Sequence, residues 1–255
     1  MKDPFKDMTY KGKTTAQRYQ EILREQRQRE LHKRKQKLKP QPQPKPQPTT
    51  DTSDYLILEA TSQYPDTLVS TTTTHHNNNW NKTHELLQAN NQHMPTIKQF
   101  ADFLKLLKSG KAFNQQGRQI SSQTLEQIFN EITEVRSPWR AEWLDADFKV
   151  INDTLHINYN YNEQSQPSNS EPLQPYLQQD KTPGIDLEHW INNPTSQGLP
   201  KPNTQDGNLW YWQPLNDNNS VARFDASSGG ADLGCGGDPW DSGSSLGVRL
   251  CAKKI

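Results

Sequence analysis

Four aspartates, Asp225, Asp232, Asp238 and Asp241, stand with six glycines and five serines in the twenty-one residues DASSGGADLGCGGDPWDSGSS. Carboxylates at that density are the hard oxygen ligands of a calcium-binding lectin, or the raw material of an enzyme built on an acidic cluster. Neither chemistry finds its spacing: D-x-[DN]-x-[DN]-G is absent, and so is the G-G-x-G-x-D repeat. Only two cysteines occur, Cys235 and Cys251, too few for a disulfide framework or a four-cysteine zinc module. The seven histidines show neither H-x3-H nor HExxH spacing. No catalytic residue, metal ligand or cofactor is assigned on these grounds, and the chain is not read as an enzyme.

What must position these residues is a pair of strands. In GGADLGC the side chains of Ala231, Leu233 and Cys235 share one face of an extended chain, and Gly230, Asp232 and Gly234 share the other. The apolar face is scaffold, and the Gly/Asp face is expected to be displayed. In LGVRLC, Leu246, Val248 and Leu250 alternate in the same way with Gly247, Arg249 and Cys251. Cys235 and Cys251 fall on these strands and read as buried thiols, or as a pair if the strands are neighbours.

The residue set of the displayed face has a genetic logic. Asn is encoded by two adenines and a pyrimidine; guanine in place of the first adenine gives Asp, of the second Ser, of both Gly. The stretch contains no Asn, whereas NDNNS just upstream contains three. That is what adenine-directed mutagenesis of an Asn-rich template leaves, with some serines arising from the other codon family. Trp240 cannot arise from an Asn codon by adenine changes alone and is read as scaffold or a constant contact.

The sequence NDNNSVARFDASSGGADLGCGGDPWDSGSSLGVRLCAKK resembles the C-terminal segment of variable proteins from diversity-generating retroelements, with an SVARF entry and an LGVRLC exit. SPWRAEWLDADF and DKTPGIDLEHW extend the resemblance to archaeal-type members, over roughly Met94 to Ile255. The resemblance implies an α+β, C-type lectin-like fold, a mixed, twisted sheet with two helices and a displayed variable surface; the tail before Met94 lies outside the resemblance. It implies a ligand-binding, receptor-like protein whose surface is diversified by reverse-transcriptase-mediated mutagenesis, with a protein ligand selected by that surface. The changing contacts would be Asp225, Ser227, Gly229, Gly230, Asp232, Gly234, Gly236, Gly237, Asp238, Asp241, Gly243 and Ser245. Gly247, Val248 and Arg249 match the terminal Gly-hydrophobic-Arg strand, where Gly permits close packing and Arg is expected to hold a buried hydrogen-bond network. Formylglycine-generating enzymes share the fold but need a reactive cysteine arrangement, and both cysteines here lie in strand patterns.

Further toward the N-terminus, the expected elements are helices over MPTIKQFADFLKLLKSG and Ser122–Val135, a β-hairpin turning at IND, and a short helix over DLEHWINN. Phe100, Phe103, Leu104 and Leu107 on the first helix, and Leu125, Ile128, Phe129 and Ile132 on the second, fall at core-packing intervals. Residues 94–255 are therefore expected to form the variable domain, with its variable segment over 225–245. Residues 40–93, which begin PQPQPKPQP and continue rich in Thr, Asn, Gln and Ser, read as a mostly disordered linker. Their one apolar island, YLILEA, reads as a strand or docking peptide.

Residues 1–39 read as a basic helical arm. Over residues 1–47 fourteen Lys/Arg face five Asp/Glu, so a basic arm precedes an acidic body although the whole chain carries no formal net charge. Such an arm can contact nucleic acid or another acidic partner, and an alternative reading makes this a nucleic-acid-binding or structural protein acting through the arm. A solvated charged helix fits the same residues. No signal peptide or apolar window long enough to span a bilayer occurs. The expected location is therefore cytoplasmic or virion-associated rather than classically secreted.

Overall fold

The computed structural model describes residues 9–10, 13–14, 55–161, 166–173 and 177–254. The chain divides into two units, residues 1–40 and 41–255. In the first, β1 (Thr9–Tyr10) pairs antiparallel with β2 (Lys13–Thr14). The rest of the basic helical arm expected over 1–39, and the proline repeat after it, lie outside the described residues.

The second unit is a mixed α+β fold. Its strands are β3 (Tyr55–Leu58), β4 (Thr67–Thr74), β5 (Arg140–Ile151), β6 (Thr154–Tyr161), β7 (Pro167–Pro172), β8 (Lys181–Ile185), β9 (Leu209–Trp212), β10 (Ser220–Ser227), β11 (Gly230–Gly237) and β12 (Leu246–Lys253). They form one open sheet in the order β3-β4-β12-β5-β10-β11-β9-β8, with β6 on β5 and β7 on β6. The β5–β12 and β9–β11 pairs are parallel. Four helices are described, α1 (Trp80–Gln88), α2 (Ile97–Lys108), α3 (Ser122–Thr133) and α4 (Leu187–Asn192), where the resemblance implies two and the residue spacing three after Met94.

Local chemistry accounts for these elements. The β5–β6 hairpin turns at Asn152 and Asp153, which adopt φ of 50° and 60° as a two-residue primed turn demands, and this brings Phe148 opposite Ile157. A capping box opens α2: the Thr96 side chain accepts from Gln99 N, and the Gln99 side chain accepts from Thr96 N. Ser121 and Asp186 cap α3 and α4.

Both faces of the sheet are packed. On one, Phe100, Phe103, Leu104 and Leu107 of α2, Leu125 and Ile132 of α3 and Trp190 of α4 close over Leu144, Phe148, Phe224 and Leu233. On the other, Trp80 and Leu87 of α1 join Met94, Trp143, Val221, Leu246, Val248 and Leu250. The alternating residues of β12 thus divide between two cores. Cys235 and Cys251 belong to the first core as buried thiols.

One expectation is overturned. Residues 55–93 were read as linker, yet they supply β3, β4 and α1, so the compact unit begins well before Met94. β4 reads TLVSTTTT; threonine is polar in composition but β-branched in shape, and it suits a pleated, half-buried surface. YLILEA is β3, joined antiparallel to β4. LGVRLC lies in β12, which meets β5 at Ala141 and Glu142, while DFKV at the other end of β5, Asp147–Val150, pairs with β6.

Candidate ligand-binding face

The β10–β11 hairpin sorts the chemistry-bearing residues. Phe224 opposite Leu233 and Ala226 opposite Ala231 fill the helix-covered core. Arg223 opposite Gly234, Asp225 opposite Asp232 and Ser227 opposite Gly230 share the other face. Ser228 and Gly229 make the two-residue turn, where Gly229 N donates to Ser227 Oγ at 3.2 Å. The parallel strand β9 places Trp210 beside Asp232 and Trp212 beside Gly234, their ring centroids 6.3 Å apart at 70°.

Arg223 is the electrostatic centre of this face. Its Nε lies 3.1 Å from Asp225 Oδ2, and one terminal nitrogen donates to Asp241 Oδ2 at 3.0 Å. Its guanidinium carbon sits 5.8 Å from the centre of the Trp139 ring, a cation–π distance. Burial disfavours the charged guanidinium, but Asp225, Asp241 and Asp232, in that order, raise its proton affinity above the usual value.

Display is uneven. Asp225 is 3% exposed and Asp232 2% exposed, because the guanidinium of Arg223 draws carboxylates inward and neighbours close over positions without long side chains. Ser227, Gly234 and Gly237 are also buried. Gly230, Gly236, Asp238, Asp241, Gly243 and Ser245 are partly exposed, Gly229 is exposed, and Trp240 stands out at 66%.

The loop between β11 and β12 is held by local hydrogen bonds. Asp241 N donates to Asp238 O at 3.0 Å and Trp240 N to Asp238 Oδ1 at 3.0 Å. The approach to α1 clamps it from outside: Asn77 N donates to Gly243 O and Trp80 N to Pro239 O, both at 3.1 Å. The glycines differ sharply in freedom. A Cβ on Gly234 would rest 3.5 Å from Asp232 Oδ1 and 4.0 Å from Trp212 Cδ1, and one on Gly243 would meet nothing within 4 Å. On Gly237 it would strike Val221 O at 2.8 Å, and on Gly247 His76 Cε1 at 2.6 Å.

Behind the face, Arg249 is 1% exposed and grips Glu142 with two bonds, Nε to Oε2 at 3.1 Å and Nη2 to Oε1 at 2.9 Å. Its third nitrogen donates to Ser70 O at 2.8 Å, tying β12 to β4 and β5 together. Burial alone would raise the Glu142 carboxyl, but the charges of Arg249 and Arg140 hold it below the carboxylate range. A second buried polar pair lies under α1, with His84 Nε2 3.5 Å from Asp145 Oδ1. Burial pushes the His84 imidazole down to about 3 and the Asp145 carboxyl up to about 7.

Sequence reasoning missed Arg223, Trp139, Trp210 and Trp212. The signal for the last two was present, since the tryptophans of WYW stand two residues apart and share a strand face. Among the described residues no three His, Cys, Asp or Glu side chains gather as a metal site, and no helix is long and apolar enough to cross a membrane. A scan against protein-family models finds no match, and searches of the curated proteins and of the solved structures find none either.

Proposed function

We propose that this protein is a ligand-binding, receptor-like protein of C-type lectin fold whose C-terminal face is diversified by adenine-directed mutagenesis. The observation that carries the reading is the division of labour within 225–245. Ala231, Leu233 and Cys235 are locked in the core, while Asp, Ser and Gly, the purine-substituted products of Asn, hold the alternate positions on the opposite sheet face and in the following loop. Such a segment can change its recognition residues without repacking its core. An exposed Trp240 and three further tryptophans supply rigid contact area beside these positions, the kind of anchor that binding surfaces use.

Sequencing sibling copies of the gene with any nearby imperfect repeat of its end tests the proposal. Differences are expected to concentrate between Asp225 and Ser245 and to coincide with adenines in the repeat. Differences spread evenly along the chain, or at non-adenine positions, would overturn it.

A further inference from the structure

Away from that face, we infer that a cleft at the start of α2 binds a small neutral polyol, either free or as the terminal ring of a larger molecule. The cleft lies between the turn at Gln63 and Tyr64, the first turn of α2, strands β5 and β6 and the loop 195–199, and no residue of 225–245 lines it. Its empty space, open mouth included, is about 380 Å³. The walls are braced from behind. Thr195 N donates to Leu199 O at 2.8 Å, Leu199 N to Thr195 Oγ1 at 3.0 Å, and Trp190 Nε1 to Gly198 O at 2.8 Å. Gly198, at φ 92°, lies so close to α2 that a Cβ there would strike Lys98 N at 2.3 Å. Across the cleft, Gln63 Nε2 ties its turn to the same loop through Ser196 O at 2.6 Å. A site held this firmly loses little freedom when it is filled.

Two oxygens on residues of these walls lack a donor. Gln197 is 8% exposed; its Nε2 donates to Glu171 Oε2 at 2.9 Å, but its Oε1 is buried with no hydrogen-bond partner. Asp145 accepts from Asn160 N at 2.8 Å through Oδ2, while Oδ1 is buried with none. Charge is settled inside the protein: Lys98 is ion-paired with Asp102, which also accepts from Tyr64 Oη at 2.5 Å. The walls therefore ask a ligand for hydrogen-bond donors and not for a counter-charge. Hydroxyl groups meet that demand best. Burial raises the Asp145 carboxyl to about 7, so near neutrality it turns from acceptor to donor; a hydroxyl answers both forms, and an amide or ammonium N–H answers one. Ile97 and Ile157 on the lining give apolar surface to the C–H face of the same molecule.

The full chain titrated with myo-inositol, methyl α-glucopyranoside, acetamide and methylammonium, followed in ¹H–¹⁵N spectra, tests this. The two polyols are expected to shift the side-chain amides of Gln63 and Asn160 to saturation, and acetamide and methylammonium to leave them in place. Gln197→Met, which removes one orphan acceptor, should weaken polyol binding about tenfold. Because that change also releases Glu171, a second variant, Ser196→Trp, alters only an exposed residue at the cleft and should weaken binding about tenfold at unchanged thermal midpoint. Glu126→Gln, on α3 and outside the cleft, should bind as the parent does. Tighter binding of myo-inositol assigns the site to a free polyol, and tighter binding of the glucoside to a terminal ring. Unsaturable or scattered shifts with both polyols overturn the inference, as does equal saturation by acetamide or methylammonium, or a Ser196→Trp variant that binds like the parent.

Discussion

Arg249 and Arg223 are both buried arginines of one sheet, and they are used in opposite ways. Arg249 lies between strands and helices, its fork matched bidentately to Glu142 and its remaining nitrogen given to a backbone carbonyl. It faces the Phe103 ring at 5.3 Å and has Arg140 near the same carboxylate, so positive charge is in slight excess there. Arg223 lies on the face that helices α2, α3 and α4 do not cover, within ion-pair distance of Asp225 and Asp241 and over the Trp139 ring. A geometrically saturated bidentate pair fixes one arrangement of β4, β5 and β12, whereas Arg223 divides its nitrogens between two separate carboxylates, one on its own strand and one in the β11–β12 loop.

The sharpest way to break this contrast is to remove the saturated arginine. Arg249→Leu leaves Glu142 buried without its bidentate partner and should cost about 3–5 kcal/mol, measured by urea unfolding. Asp241→Asn at the other cluster, where the carboxylate is partly exposed, should cost less than about 1 kcal/mol. Comparable losses would make both arginines mere scaffold.

Within β11 the same contrast recurs between adjacent residues. Leu233→Ala should cost roughly 2–5 kcal/mol, because Leu233 is fully buried against Phe224, whereas Gly234→Ser on the opposite face should shift stability by less than about 1 kcal/mol. Equal tolerance would undo the assignment of faces.

A third measurement uses pH to separate the pair under α1. Asp145, raised from 3.8 to about 7, binds a proton in the native state that the unfolded chain releases, so its contribution is lost as pH rises from about 4 to 7. His84, lowered from 6.5 to about 3, contributes stability that is lost as pH falls through that same range. The two slopes oppose each other between about pH 4 and 6.5, and Asp145→Asn removes one of them. Its stability relative to the parent should therefore rise with pH by about 1.4 kcal/mol per unit across that window. A parallel pair of curves would show that Asp145 is ionised in the native state.

The smallest expected effect lies among the glycines. Gly243→Ala should change stability by less than about 0.5 kcal/mol, since its methyl meets nothing, while Gly237→Ala must displace Val221 O. Thermal unfolding of the two variants distinguishes a loop open to substitution from a strand end that is closed to it.

From Ile97 onward most elements were legible, because apolar spacing and capping residues agree: Thr96 with Gln99 at α2, Asn152–Asp153 at the β5–β6 turn, Ala231, Leu233 and Cys235 along β11. Residues 61–93 were not legible. Thr67, Ser70 and Thr83 are buried although their side chains are polar, and only partners far along the chain make that burial tolerable, as Arg249 does at Ser70 O and Leu250 N at Ser70 Oγ. At the candidate face the alternation was legible but its depth was not. Nothing local in DASSGGAD announces that Arg223 will pull Asp225 inward, or that β9 will lay Trp210 and Trp212 alongside.

The position of β12 in the sheet bears on how such a protein is made. It is synthesised after residues 225–245, yet it lies between β4 and β5, pairing Val248 with Thr74 and Leu246 with Ala141. The sheet therefore closes only when a late strand threads between two early ones, a topology that folds slowly and late in synthesis. Any error in the segment that shifts the reading frame or stops translation deletes β12 and leaves β4 and β5 with bare edges. A chain that lacks β12 therefore presents two unpaired strand edges to proteases and to other chains.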